Sequence, residues 1–188
     1  MPKIYTKTGD NGETSLLGKR VKKDCLEVVV LGEVDELNAS LGVLNAQISA
    51  DDFSEVIKQI VEIQNNLFVI GASVAALDTV IKNIPKLTEK SVADLEKWID
   101  ETEKDLESLH NFILPGGNSA AAQSFLARAV CRRAERSVVS LSEKYKIIGG
   151  DVIKKYLNRL SDYLFVLGRF LNKKSGAEEI IWVSASKN

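Results

Sequence analysis

Apolar residues recur at three- and four-residue intervals over most of this chain, the spacing of helices that bury one face, rather than alternating as in strands. Prolines occur only at positions 2, 85 and 115, so long segments run uninterrupted. A first helix is expected from about Leu26 to Ile48. Asp51 or Asp52 caps a second that continues to about Leu77, with Glu55 three residues after Asp52 in a pattern like a capping box. Beyond a connector containing Pro85, a third helix runs from Thr88 or Ser91 to about Leu109, and its stretch WIDETEKDLESL reads as a solvated face. Pro115, Gly116 and Gly117 stop helical propagation, and Asn118 or Ser119 caps a fourth helix reaching about Lys144. After Gly149 and Gly150, Asp151 caps a fifth helix to about Lys173, Gly176 ends it, and the apolar tail IIWVS follows.

Five long helices within 188 residues predict one all-α domain, a five-helix bundle. An N-terminal loop segment occupies 1–25, the bundle 26–174 and the tail 175–188. Apolar residues at 45% and charged residues at 27% match ordinary globular usage, so a packed core is affordable without a metal or disulfide framework. The 25 basic and 26 acidic residues leave a formal charge of −1, which removes the electrostatic attraction behind non-specific nucleic-acid binding. The first twenty residues hold no apolar core of a secretory signal, and no stretch supplies the roughly 20 apolar residues of a membrane span, so a cytoplasmic protein is expected. Cys25 and Cys131 lack CxxC spacing and are expected to be free, buried thiols.

Candidate chemistry begins in YTKTGDNGETSLL, residues 5–17. Its glycines let backbone N–H groups approach an anion, Thr6, Thr8 and Thr14 add hydroxyls, and Lys7 adds charge, so a polyphosphate could be cradled there. A flexible polar arm would have the same composition. The loop is not a Walker A motif: five residues separate Gly12 from Gly18 where that motif has four, and Arg20 stands where a serine or threonine should hold magnesium. In the fourth helix, Arg128, Arg132, Glu135 and Arg136 fall at i, i+4, i+7 and i+8 and share one face. Three guanidiniums there suit a phosphate, or form a solvated basic stripe with Glu135 as local counter-charge, and spacing leaves both open.

Asp35 and Glu36 lie among apolar neighbours in VVVLGEVDELNASLG, where a buried carboxylate would need a cation such as Arg128. Asn158, Arg159, Asp162 and Arg169 put a second polar group on the fifth helix, which fits a site or plain interhelical hydrogen bonding. His110 is the only histidine, which excludes paired Glu-x-x-His di-iron sites and leaves a catalytic triad one candidate in a loop that reads as solvent-facing. Trp98 and Trp182 serve equally as anchors or as ligand platforms.

Taken together, YTKTGDNGETSL, VVVLGEVDELNASLG, FILPGG, ARAVCRRAER and YLNRLSDYLFVLGR resemble, in order and across nearly the whole chain, the PduO-type ATP:cob(I)alamin adenosyltransferases. The resemblance implies a homotrimer of five-helix bundles with active sites between subunits, and transfer of the 5′-deoxyadenosyl group of ATP to the cobalt of cob(I)alamin. It implies ATP contacts at Thr6, Lys7, Thr8, Gly9, Asp10, Gly12, Thr14, Ser15 and Lys23, and on the helices at Arg132, Glu135, Arg136 and Asn158. Asp35 would pair with Arg128 across the subunit interface, Phe112 would pack under the corrin ring, and Asp162 would face the cobalamin. Trp182 receives no role, and no residue is assigned to Mg2+, which would accompany ATP. A reductase and an enzyme that uses adenosylcobalamin are the implied protein partners. Two other readings stay open on the residues alone: an ATP-dependent enzyme with another acceptor, and a non-catalytic bundle that binds nucleotide or cobalamin.

Overall fold

A computed structural model describes residues 3–77 and 83–184; residues 78–82 of the expected Pro85 connector, and the two chain ends of the expected loop and tail segments, lie outside the described residues. The chain forms a short antiparallel hairpin, β1 (Glu13–Leu16) and β2 (Lys19–Lys22), followed by helices α1 (Leu26–Ala46), α2 (Ala50–Ala75), α3 (Glu89–Glu103), α4 (Ser119–Lys144) and α5 (Gly150–Ser175). The bundle is as expected, whereas the hairpin is an addition: the polar N-terminal segment is partly strand because Gly18, at φ +89°, and Leu17, at φ +41°, turn the chain back on itself. Among the described residues, no helix is long and apolar enough to cross a membrane.

Neighbouring helices pack in the order α2, α1, α4, α5, α3. One apolar stripe from each builds a single core: Leu37, Leu41 and Leu44 from α1, Ile60, Ile63, Leu67 and Ile70 from α2, Leu95 from α3, Val138 and Leu141 from α4, and Ile153 to Leu171 along α5. Burying each such side chain contributes about 1.5–3 kcal/mol. Exposed helix pairs such as Lys58–Glu55 contribute under about 1 kcal/mol, so burial and not surface charge holds the bundle. Gly168 sits against Phe125, where an added Cβ would come within 2.8 Å of the ring, so this glycine sets the close approach of α4 and α5. Polar atoms inside are satisfied locally: Ser124 donates to the Leu164 carbonyl, Tyr163 donates to Gln59, and Asn66 donates to the Tyr156 hydroxyl.

Several expected boundaries move. Asp151 does not cap α5; Gly149, in the left-handed conformation at φ +70°, does, and Asp151 sits in the first turn paired with Lys154 at 2.9 Å. That ammonium holds the Asp151 carboxyl below the usual carboxylate range. The second helix starts earlier than Asp51, with Ser49 at the N-cap and no side-chain cap, and the backbone breaks at Phe53 instead of forming a capping box. The third helix ends six residues before Leu109 because Asp105 accepts from Lys173 and pairs with Lys174, which turns the chain across the end of α5. Asn118 does cap α4, accepting from the Ala121 amide at 2.9 Å. Cys131 is buried as expected, and burial pushes its thiol well up, whereas Cys25 is only half-buried.

Candidate active site

Two polar surfaces and one apolar one carry the candidate chemistry. The N-terminal loop is organised around Lys23. An added Cβ on Gly9 would lie 3.3 Å from the Lys23 amine, and the Lys23 amide donates to the Gly12 carbonyl at 2.9 Å. Gly12, at φ +80°, donates to the Gly9 carbonyl and closes the turn, a conformation that side chains resist. Arg20 donates to the Thr8 carbonyl at 2.7 Å and to Ser15 at 3.2 Å, and Thr6 and Thr8 share a hydrogen bond of 2.9 Å. Lys7, itself at φ +59°, approaches the Tyr5 ring at 5.9 Å. Thr14 pairs with Val21 in the hairpin, and Asp10 is exposed on the turn.

The second surface spans α4 and α5. Asn158 donates to Glu135 at 3.1 Å, joining the two helices at one point of this face. Arg132 and Arg136 flank Glu135 on α4 and are exposed. Of the seven arginines, four are held by carboxylates of their own chain. Arg20 pairs with Glu13, Arg133 with Glu33 and Glu36, Arg159 with Glu96 and Asp162, and Arg169 with Glu179. Arg128 lies over the Phe165 ring at 5.4 Å. Of the arginines, only Arg132 and Arg136 have no hydrogen bond, ion pair or ring contact among the described residues. The face thus offers two adjacent guanidiniums, not three.

Asp35 is exposed on α1 and makes no ion pair among the described residues; Glu36 beside it is taken by Arg133, whose guanidinium that carboxylate holds above its usual pKa. Asp162 is likewise engaged, accepting from Arg159 at 3.1 Å. Among the described residues, no hydrogen bond or ion pair joins the N-terminal loop to Arg132, Glu135, Arg136 or Asn158.

Phe112 forms the apolar surface. It stands 78% exposed in the connector between α3 and α4. The C-terminal tail pairs with this connector as an isolated antiparallel bridge: Trp182 donates its amide to the Phe112 carbonyl at 2.7 Å, and Leu114 donates to the Ile180 carbonyl at 2.8 Å. The Trp182 ring meets Phe112 edge to face at 6.5 Å. Sequence reasoning gave Trp182 no part, and only the bridge reveals it. Asn172 was missed too: it donates to the Gly116 carbonyl at 2.9 Å and accepts from the Asn118 amide at 3.0 Å.

Gly117 makes that grip possible, with φ +104° and an added Cβ only 2.0 Å from Asn172 Oδ1. Gly117→Ala should therefore destabilise the fold by about 2–4 kcal/mol, from left-handed strain and displaced buried hydrogen bonds. In thermal unfolding that is a fall in Tm of roughly 5–15 °C. A shift under about 2 °C would show that the turn tolerates a side chain.

Known proteins resemble this chain over nearly its whole length. Residues 4–171 match the family model described as cobalamin adenosyltransferase. The chain is 42% identical over 179 residues to a corrinoid adenosyltransferase of Bacillus subtilis (strain 168), covering 95% of this chain and 91% of that one. It is 40% identical over 184 residues to a cobalamin adenosyltransferase of Cupriavidus metallidurans, covering 97% and 95%. The backbone superposes with a TM-score of 0.90, at 32% identity and over 97% of this chain, on a variant PduO-type ATP:corrinoid adenosyltransferase from Lactobacillus reuteri complexed with cobalamin and ATP. The family match and the backbone likeness both extend over nearly the whole chain, and the chain belongs to the cobalamin adenosyltransferase family.

Proposed function

We propose that this protein transfers the 5′-deoxyadenosyl group of ATP to the cobalt of cob(I)alamin, releasing triphosphate. The observation that carries this reading is the pair Arg132 and Arg136: two exposed guanidiniums one turn apart, without partners among the described residues while four others are neutralised within the chain. Such a pair costs repulsion unless an anion lies between, and its planar donors suit phosphate oxygens. Thr6, Lys7, Thr8, Gly9, Asp10, Gly12, Thr14, Ser15 and Lys23 form the other half of the ATP site, with Glu135 and Asn158 orienting the nucleotide on the helices.

The loop and the arginine face share no hydrogen bond or ion pair among the described residues, which is in keeping with a site completed by a second copy. A homotrimer supplies it, with Asp35 of one subunit meeting Arg128 of the next. The two arginines would bind phosphate oxygens and not a metal, so a Mg2+ would arrive on the triphosphate, with the Glu135 carboxylate the one oxygen donor among these three side chains that could coordinate it. That ion would supply charge neutralisation on the phosphates.

The cob(I) centre is itself the nucleophile. Its electron pair forms the Co–C bond to C5′, the C5′–O bond breaks, and its electrons leave with triphosphate. No protein base is needed, which accommodates a chain whose one histidine, His110, is exposed in a connector. The protein aligns C5′ with cobalt and stabilises the leaving charge through Lys7, Lys23, Arg132 and Arg136. Phe112 offers the apolar wall that displaces the lower axial ligand and eases reduction of cob(II), with Asp162 at the edge of the corrin. A reductase supplies the electron, an adenosylcobalamin-dependent enzyme receives the product, and both steps belong to the cytoplasm, where ATP is made available.

Anaerobic incubation with chemically reduced cob(I)alamin and Mg-ATP tests the reading. Formation of adenosylcobalamin with one equivalent of triphosphate is expected. Release of ADP would replace it with phosphoryl transfer, and ATP binding without alkylation would replace it with a binding module.

A further inference from the structure

Arg169 is a charge inside the apolar run LFVLGRFL, and its side chain is only 9% exposed. Its guanidinium holds two separate segments at once. Nε and one terminal nitrogen donate to the two Glu179 oxygens at 2.7 and 3.1 Å, and that terminal nitrogen also donates to the Glu107 carbonyl at 2.9 Å. Glu179 begins the tail, and Glu107 belongs to the connector that carries Phe112. Immediately beyond these contacts the two segments pair, through Leu114 to Ile180 and Trp182 to Phe112. Without that clamp, the pairing rests on two backbone hydrogen bonds, one edge-to-face ring contact and the half-buried Ile113, a marginal set for ordering a strand pair in water.

We propose that Arg169 is a positioning residue for Phe112. By gripping Glu179 and the Glu107 carbonyl together, it straps the tail along the connector, seats Trp182 edge-on against Phe112 and fixes the direction in which the aromatic wall faces. This assignment rests on the reading of Phe112 as the wall beneath the corrin. It goes further by naming a charged group, remote from ATP and from the ring itself, on which the reduction-dependent route depends. Along α5 the eleven residues from Asn158 to Arg169 rise about 16 Å, so the clamp is well separated from the arginine face.

Arg169→Ala leaves the half-buried Glu179 carboxylate unpaired, opens a gap in the core face of α5 and can fail to fold. Glu179→Ala changes no helical residue and leaves Arg169 its hydrogen bond to the Glu107 carbonyl, and Glu179→Gln, which adds back an acceptor, controls for the unpaired guanidinium. In the ligand-free full chain, hydrogen exchange at the Trp182 and Leu114 amides should quicken at least tenfold in Glu179→Ala, and by less in Glu179→Gln, which keeps one acceptor for Arg169. With cobalamin, Glu179→Ala should lower adenosylation starting from cob(II)alamin at least tenfold and leave the rate from pre-reduced cob(I)alamin and the KM for ATP within twofold. The fraction of bound cob(II)alamin lacking its axial nitrogen, read by electron paramagnetic resonance, should fall in parallel. Unchanged amide exchange would overturn the strap. Faster exchange with equal losses in both assays would overturn the positioning role alone if Phe112→Ala still separates the two assays. Equal losses in both variants would overturn the role of Phe112 as well.

Discussion

Replacing Phe112 by alanine should slow adenosylation that starts from cob(II)alamin by roughly ten- to a hundredfold more than adenosylation that starts from pre-reduced cob(I)alamin. The size follows from burial of one phenyl ring against a ligand, about 1.5–3 kcal/mol. That energy acts only while the ring must exclude the lower axial ligand. Once cobalt is already reduced, the alkylation itself depends on C5′ alignment and on the triphosphate contacts, which Phe112 does not make. The experiment is clean because Phe112 is already 78% exposed in the free chain, and truncation removes little beyond its edge contact with Trp182. Parallel rate measurements from the two cobalt states decide the matter, and equal losses would remove Phe112 from this role.

Arg132→Ala should act at the other end of the reaction and without regard to cobalt state. Losing one preorganised charged donor to the departing triphosphate lowers kcat/KM for ATP by about 10²–10³. Arg132 has no partner among the described residues, so its removal should leave Tm unchanged, and Arg132→Lys should recover only part of the loss because charge returns without the planar fork. The neighbouring Arg133 is the control. It is spent on Glu33 and Glu36, and Arg133→Ala should change ATP kinetics by less than about tenfold while disturbing the α1–α4 contact. Steady-state ATP kinetics of the three variants test this, and wild-type values for Arg132→Ala would take that residue out of the site.

The contrast between Arg132 and Arg133 shows how far the linear sequence reaches. Apolar residues at three- and four-residue intervals placed all five helices, with only the end of the third far from its expected place, because an apolar stripe of period 3.6 is a local property and a bundle is the available way to bury five of them. Asn118 could be recognised as a cap for the same reason: its oxygen bonds an amide three residues away. Motifs in order identified the family. Expectations failed where distant segments compete with local preference. The third helix stops at Glu103 because α5 lysines claim Asp105, and Asp151 yields the cap to Gly149 because the turn before α5 needs a positive φ.

Spacing put Arg128, Arg132 and Arg136 on one face and could not say which would be left free. That was decided by tertiary structure: Phe165 takes Arg128, Glu36 takes Arg133, Glu96 takes Arg159, and Glu179 takes Arg169. Trp182 came to Phe112 in the same way, across seventy residues of chain. The sequence by itself determined the helices, their order and the chemical types available to a site. Only the folded chain decided which charges are neutralised, which aromatics meet and which surfaces stay apart, because a long side chain finds its partner through space, and helix periodicity specifies a face but not the neighbour that will cover it.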